Sequence, residues 1–145
     1  MSWSRYVENP DSLALLGAAA EDLGVIELHE LVVHRDGPLL RLRFDVPFVP
    51  EKLPVRWPAE ANTTQIAVAA WGIGNLSVVG WATSVRGLLS AGDDGHVRVL
   101  RFNGERCAVR VSYSSLRVEK VNGYVNELMA NHALQPTAEF QRYAA

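Results

Sequence analysis

The chain of 145 residues is long enough for one domain that buries a sizeable core without a metal ion or disulfide. Its hydrophobic fraction of 48% and charged fraction of 21% are ordinary for a globular protein, and they argue against a disordered or low-complexity chain. The formal net charge of −2 disfavours the basic surface of a nucleic-acid-binding protein.

The N-terminal segment carries helix-start chemistry. Asn9 is suited to cap a helix and Pro10 to occupy its first turn, where a missing N–H is not needed. The helix either ends at Gly17 or continues to Gly24, and both alternatives make it short and amphipathic. Trp3, ahead of this helix, is predicted to be a core anchor.

Residues 28–46 (LHELVVHRDGPLLRLRFDV) predict a β-hairpin, the element around which the rest of the chain is arranged. Apolar residues dominate the first strand, and they alternate with charged residues in the second. Residues 35–38 (RDGP) have turn composition, and the proline makes a two-residue loop less favourable than three or four residues.

Two registers of this hairpin remain open. A three-residue loop pairs Glu30 with Leu42, and a four-residue loop pairs Glu30 with Arg43. The polar residues left on the apolar face are Glu30 and His34 in the first register, and Glu27 and His29 in the second. Both registers place equally many apolar residues on the core face. We therefore expect the first strand to be apolar on both faces, with its second face covered by a helix or another sheet.

Five further strands are predicted after a proline-rich crossing at 47–58. The crossing is either ordered or a flexible loop, and Trp57 favours the ordered alternative. The strands are at 63–71, 76–81, 86–91, 96–102 and 108–121, the first two joined as a hairpin through Gly72-Ile73-Gly74-Asn75. The prediction is a mainly β (α+β) fold: an antiparallel meander of about seven strands, forming a curved sheet, a barrel or two packed sheets. A C-terminal helix is a further option.

Catalytic and metal-binding patterns are not evident. His29 and His34 point to opposite sides of a regular strand, and neither His96 nor His132 has thiol or acidic neighbours at ligand spacing. The single Cys107 cannot form an internal disulfide, and it is predicted to be a small, buried hydrophobic residue. We therefore expect no metal, no cofactor and no enzymatic activity. With no signal-like start or apolar run near ~18 residues, we also expect a cytoplasmic protein with no membrane partner.

The order and spacing of several short motifs resemble a bacterial family called immunity protein 50, over residues 3 to 124. The motifs are Trp3, Asn9-Pro10, Leu28-His29-Glu30, Arg35-Asp36-Gly37-Pro38, Trp57, Asn62-Thr63-Thr64-Gln65-Ile66, Gly80-Trp81 and Gly123-Tyr124. The resemblance implies a cytosolic protein of a polymorphic toxin system that binds and neutralises a cognate toxin without being an enzyme. It assigns no site residues.

Two hypotheses follow for the functional residues. A toxin-binding surface would use aromatic and charged anchors, for which the candidates are Glu27, Glu30, Arg41, Arg43 and Trp57. A small-molecule binder or isomerase-like enzyme would instead place Glu27 and His29, or Glu30, at the mouth of a barrel cavity.

The tail differs from the rest of the chain. Residues 1–130 are predicted to form a single antiparallel β domain, with residues 131–145 as a tail. Residues 131–137 (NHALQPT) resemble the peptide produced when a reading frame runs into the recombination site of a mobile integron cassette. The alternative is an ordinary amphipathic helix that stops before Pro136. Phe140 and Tyr143 could also make the tail a contact between subunits of a homo-oligomer.

Overall fold

The computed structural model describes residues 3–128, in which eight antiparallel strands form one sheet. The strands are β1 (Ile26–His34), β2 (Leu39–Val46), β3 (Thr63–Trp71), β4 (Gly74–Val79), β5 (Arg86–Asp94), β6 (Val97–Gly104), β7 (Ala108–Tyr113) and β8 (Ser115–Tyr124). Their order is β4-β7-β6-β5-β1-β2-β3-β8, so the sheet is not closed into a barrel. The mainly β, antiparallel fold predicted from the sequence is confirmed.

The strand count is eight because the run after Cys107 divides at Ser114, whose N–H donates to the carbonyl of Trp71 at 2.8 Å. The predicted hairpin through Gly72-Ile73-Gly74-Asn75 is wrong. β3 is paired with β2 on one side and β8 on the other, so β4 pairs with β7 instead. A glycine-rich turn marks where the chain bends, but the partner of the next strand depends on distant segments.

The β1–β2 hairpin combines both predicted registers. Residues 35–38 form a four-residue turn, and Glu30 pairs with Arg43 as that loop length requires. A bulge between Leu28 and Glu30 then shifts the register by one, so that Leu28 pairs with Phe44. The extra residue in the bulge is His29. Neither single register could be preferred from the sequence because the strand uses one on each side of this bulge.

The bulge decides which side chains reach the core. The inner face of the sheet carries Leu40, Leu42 and Phe44, and Ile26 and Leu28 lie on this face and are buried. The outer face carries Arg41, Arg43 and Asp45, and Glu27 and His29 lie on it. Glu30 and His34 lie on the outer face as well, so the expectation that polar residues of β1 would interrupt the apolar face is wrong in both registers.

The expectation that β1 is apolar on both faces is also wrong, because Glu27, His29 and Glu30 lie on its outer face. β1 is interior in the strand order, but it pairs with β5 only through Ile26 and Glu27. The turn-proximal half of the β1–β2 hairpin therefore extends beyond this pairing.

The N-terminal segment covers the inner face. Short 3₁₀ helices span Trp3–Tyr6 and Pro10–Ala20, and Gly17 (φ 58°) interrupts the second. The predicted core anchor Trp3 is 2% exposed, and its ring meets the edge of Phe44 with centroids 6.2 Å apart. Its indole N–H also donates to the carbonyl of Ala20 at 3.0 Å.

Asn9 occupies the predicted N-cap position, with Pro10 in the first turn, but its side chain makes no capping hydrogen bond to the helix backbone. Its side-chain amide donates to the carbonyl of Val118 at 2.8 Å and accepts from the N–H of the same residue at 2.9 Å. The N–H of Glu8 also donates to the carbonyl of Leu116 at 2.8 Å. The segment thus satisfies backbone groups at the β8 end of the sheet, which would otherwise be an exposed edge.

The proline-rich crossing packs against the sheet through Trp57. The Trp57 side chain is buried at 6% exposure and lies against Gly123 of β8, where no side chain intervenes. Among residues 3–128, no helix is long and apolar enough to cross a membrane. The predicted C-terminal helix and the tail 131–145, with its resemblance to a recombination site, lie outside the described residues.

Candidate functional site

A buried carboxylate on the outer face organises the candidate site. Asp45 of β2 is only 4% exposed, and strands β1, β3 and β8 supply donors to it. His29, brought over by the β1 bulge, places Nε2 2.9 Å from Oδ2, and Gln65 of β3 donates to Oδ1 at 3.0 Å. Tyr124 at the end of β8 donates its hydroxyl to Oδ2. Three donors to one carboxylate make a network that fixes four side chains.

These contacts shift the pKa values of the network in a consistent direction. Burial alone would raise the pKa of Asp45, but the hydrogen bonds from His29, Tyr124 and Gln65 outweigh it and lower that pKa. The bond to Asp45 raises the pKa of His29 against the opposing effect of burial. Burial and the same carboxylate raise the pKa of Tyr124. The network therefore holds Asp45 ionised at neutral pH.

Glu27 lies beside this network with weaker partners. It pairs across the sheet with Asp45 on one side and Arg86 on the other. Ser84 Oγ is 3.4 Å from its Oε1, and Arg86 Nε is 3.9 Å from its Oε2, so both contacts are long. Burial raises the pKa of Glu27, although His29, Arg86 and Ser84 oppose that effect. The charge on Glu27 is thus only partly compensated.

An open pocket of about 480 Å³ lies over Glu27 and Asp45. Polar and charged side chains contribute part of its lining, and aliphatic groups of the strand ends and loops contribute the rest. The lining residues are Val25, Glu27, His29, Asp45, Val46, Pro47, Thr63, Thr83, Ser84, Arg86, Tyr124, Asn126 and Leu128. Its volume lies within the range of about 300–1,000 Å³ usual for ligand pockets.

Comparison with protein families matches residues 19–124 to the family described as Immunity protein 50. The chain belongs to the immunity protein 50 family. The matched segment contains all eight strands and nearly all of the pocket lining, and the resemblance inferred from the sequence is confirmed. No curated protein and no solved structure matches this chain.

Four of the predicted partner-binding residues of this immunity protein 50 member lie on the outer face. Arg43 pairs with Glu30 at 3.6 Å, and Arg41 makes a two-pronged contact with Glu119, whose second bond is 3.1 Å. Glu27 lies in the pocket, whereas Glu30 is outside its lining. The ion pairs are partly exposed, so each adds little to stability and remains available for exchange with a partner's charges.

Trp57, the fifth predicted residue, is placed elsewhere. Its buried ring lies against Gly123 on the inner side of the sheet, opposite the face that carries Arg41 and Arg43. Its indole N–H has no hydrogen-bond partner among the described residues. The structure therefore does not bring Trp57 together with the other four.

Several members of the site were not named as site residues from the sequence. Asp45, Gln65, Arg86 and Tyr124 come from four strands, and Gln65 and Tyr124 entered the sequence analysis only as parts of the family motifs. Only strand order and register bring them together, and neither could be read from local patterns. Asp45 offered one weak signal, because it stands between the buried residues Phe44 and Val46.

No group of three or more His, Cys, Asp or Glu side chains in the described part of the chain could hold a metal ion. The Cys107 thiol is buried, and burial raises its pKa, which disfavours the reactive thiolate.

Proposed function

We propose that this protein binds a cognate bacterial toxin and neutralises it by covering a functional surface, without catalysing a reaction itself. The observation that carries the proposal is membership of the immunity protein 50 family over residues 19–124. The geometry supports it, because charged side chains suited to a protein contact converge on one face of the sheet.

The outer face of β1, β2 and β8 is the proposed contact surface. Its centre carries Arg41 and Arg43, with Glu30 and Glu119 as their present partners. Arginine is common among the residues that dominate protein interfaces, since its planar group binds carboxylates with two bonds. A stable complex would bury about 800 Å² on each partner, so loops beside these strands would also contribute.

Co-expression with candidate toxin domains tests this proposal. The wild-type chain should restore growth against its cognate toxin, and the purified proteins should form a complex. Arg43→Glu should weaken that complex by more than about 30-fold, as expected for a residue worth about 2 kcal/mol at an interface. Arg106→Glu is the matched control, because Arg106 is exposed in the turn between β6 and β7.

Failure of the wild-type chain to bind or protect against a broad toxin panel would contradict the proposal. Equal protection by the Arg43→Glu and Arg106→Glu variants would instead show that the toxin contacts a surface other than the outer face.

A second candidate function is small-molecule binding, which the pocket favours. Glu27 and His29, both named from the sequence for this role, line a space large enough for a ligand. They lie at an open pocket on the outer face rather than inside a barrel. A thermal-shift screen with small metabolites would show a ligand-dependent rise in Tm in the absence of any toxin.

A further inference from the structure

We propose that the pocket over Glu27 is a socket for one basic side chain, arginine or lysine, presented by the protein partner. This inference rests on the proposed function, since it names the chemistry by which the toxin would be held. Its three supports are the acceptor capacity of Glu27, the charge of the pocket floor and the aliphatic walls.

Glu27 has acceptor capacity that its present neighbours do not fill. Among the residues that the structure describes, its two oxygens have the Ser84 contact at 3.4 Å and the Arg86 contact at 3.9 Å. A partly buried carboxylate with such long contacts loses hydration without regaining full hydrogen bonds. A guanidinium or ammonium group entering the pocket would supply short, charge-assisted donors.

Asp45 behaves differently and sets the charge of the floor. His29, Gln65 and Tyr124 already occupy its oxygens, so it contributes negative potential rather than a free binding position. With Asp45 and Glu27 ionised and Arg86 positive, the floor carries one net negative charge above the raised pKa of His29 and no net charge below it. The floor is net positive in neither state, so this balance favours a cation over an anion.

Arg86 is the group that could instead recruit an anion. Its Nε is buried and has no hydrogen-bond partner among the described residues, but it faces Glu27 at 3.9 Å. An anion reaching Arg86 would therefore also meet the Glu27 carboxylate. That repulsion makes Arg86 a weaker recruiting group than Glu27.

The walls suit the stem of a long basic side chain. Val25, Pro47 and Leu128 line the pocket beside the polar floor and are exposed. Lysine and arginine carry three or four methylene groups that bind apolar surface while the charged head reaches polar partners. A short anionic side chain would leave these walls unfilled.

Two-dimensional NMR with blocked amino acids as probes tests the socket without a toxin. N-acetyl-arginine methylamide should shift the backbone amides of Glu27, His29 and Ser84 in a saturable way, with a Kd in the millimolar range. The norleucine analogue, which has a similar stem and no charge, should bind at least about 5-fold more weakly. No saturable shift with the arginine or lysine derivative, or equal or tighter binding of the glutamate derivative, would overturn the proposal.

Two variants connect the probe to the pocket. Glu27→Gln should weaken arginine-derivative binding at least about 5-fold, whereas Glu105→Gln, exposed in the β6–β7 turn, should leave it unchanged. Thr83→Trp narrows the rim without altering Glu27, and it should also weaken binding. Equal binding by the Glu27→Gln, Thr83→Trp and wild-type proteins would overturn the socket.

The toxin complex separates this inference from the proposed function. A drop in toxin affinity of about 10-fold or more in Glu27→Gln, with Glu105→Gln unaffected, supports the socket. A wild-type complex that Glu27→Gln leaves unchanged overturns the socket and leaves the proposed function standing. Much tighter binding of free arginine than of its blocked derivative would also overturn it, since the site would then select a small molecule.

Discussion

At the scale of single residues, Asp45 carries a charge where little water reaches it, and its cost is offset by donors from three other strands. Removing the carboxylate would leave those donors without their acceptor. The unsatisfied hydrogen bonds would cost most at Gln65 and Tyr124, because both side chains are only partly exposed to water. The network thus stabilises the fold as well as shaping the pocket.

We expect Asp45→Ala to lower the free energy of unfolding by on the order of 3 kcal/mol, as for loss of one partner in a buried charged pair. Urea denaturation measures the change. Asp94→Ala is the control, because Asp94 is exposed at the end of β5 and its ion pairs with Arg101 and Arg110 are at the surface. Equal effects of the two substitutions would contradict a structural role for the Asp45 network.

His29 predicts a pH dependence of stability whose sign follows from its contact with Asp45. The pKa of His29 is raised above its ordinary value of 6.5, so its contribution is complete below that value and is lost as pH rises through the folded-state pKa. The pKa of Asp45 is lowered, so its carboxylate stays ionised from about pH 5 to about pH 9.

The Tm difference between wild type and His29→Gln should therefore be largest near pH 5.5 and shrink above about pH 7. Thermal unfolding at a series of pH values measures it. His34→Gln controls for a histidine at the exposed, turn-proximal end of the same strand. A difference that grows with rising pH would show that the His29–Asp45 contact does not stabilise the protonated histidine.

At the scale of elements, the β1–β2 hairpin shows what local patterns can and cannot predict. Turn composition predicted the loop at 35–38, and alternation predicted which residues of β2 face the core. The bulge at His29 was not predictable, because the apolar residues of β1 fit two registers equally well. That single extra residue moves Glu27 and His29 to the face of Asp45 and so creates the site.

The contact between the proline-rich crossing and β8 gives a sharp test of packing. A Cβ on Gly123 would lie 2.1 Å from Cε3 of Trp57, which is far inside van der Waals contact. Gly123→Ala should therefore displace the indole and lower the free energy of unfolding by about 1–3 kcal/mol.

Gly92→Ala is the matched control for that substitution. A Cβ on Gly92 of β5 meets nothing within 4 Å, so its effect should stay within about 0.5 kcal/mol. Urea denaturation of both variants decides the comparison. An unchanged urea midpoint in Gly123→Ala would mean that the packing of Trp57 against β8 does not contribute to stability.

At the scale of the whole molecule, the antiparallel β class was predictable, but the strand order was not. Regular spacing of short apolar segments and turns indicates strands without identifying their partners. The pairings of β4 with β7 and of β3 with β8 join residues that are 29 or more positions apart, and local propensity carries no information about them. Gln65 and Tyr124 reach Asp45 only through that long-range order.

The limit of the folded unit gives the last prediction. The family match ends at residue 124, and the buried core cluster of the described residues extends along the chain to Val121. Deleting residues 131–145 should therefore change the free energy of unfolding by no more than about 0.5 kcal/mol and leave toxin binding intact. Deleting residues 119–145 is the contrasting variant, because it removes six of the ten residues of β8, among them Val121 and Tyr124, and it should prevent stable folding. Thermal unfolding and light scattering measure both. A fall of several degrees in Tm, or conversion of an oligomer to monomers, on removing residues 131–145 alone would show that the tail contributes to the folded or assembled protein.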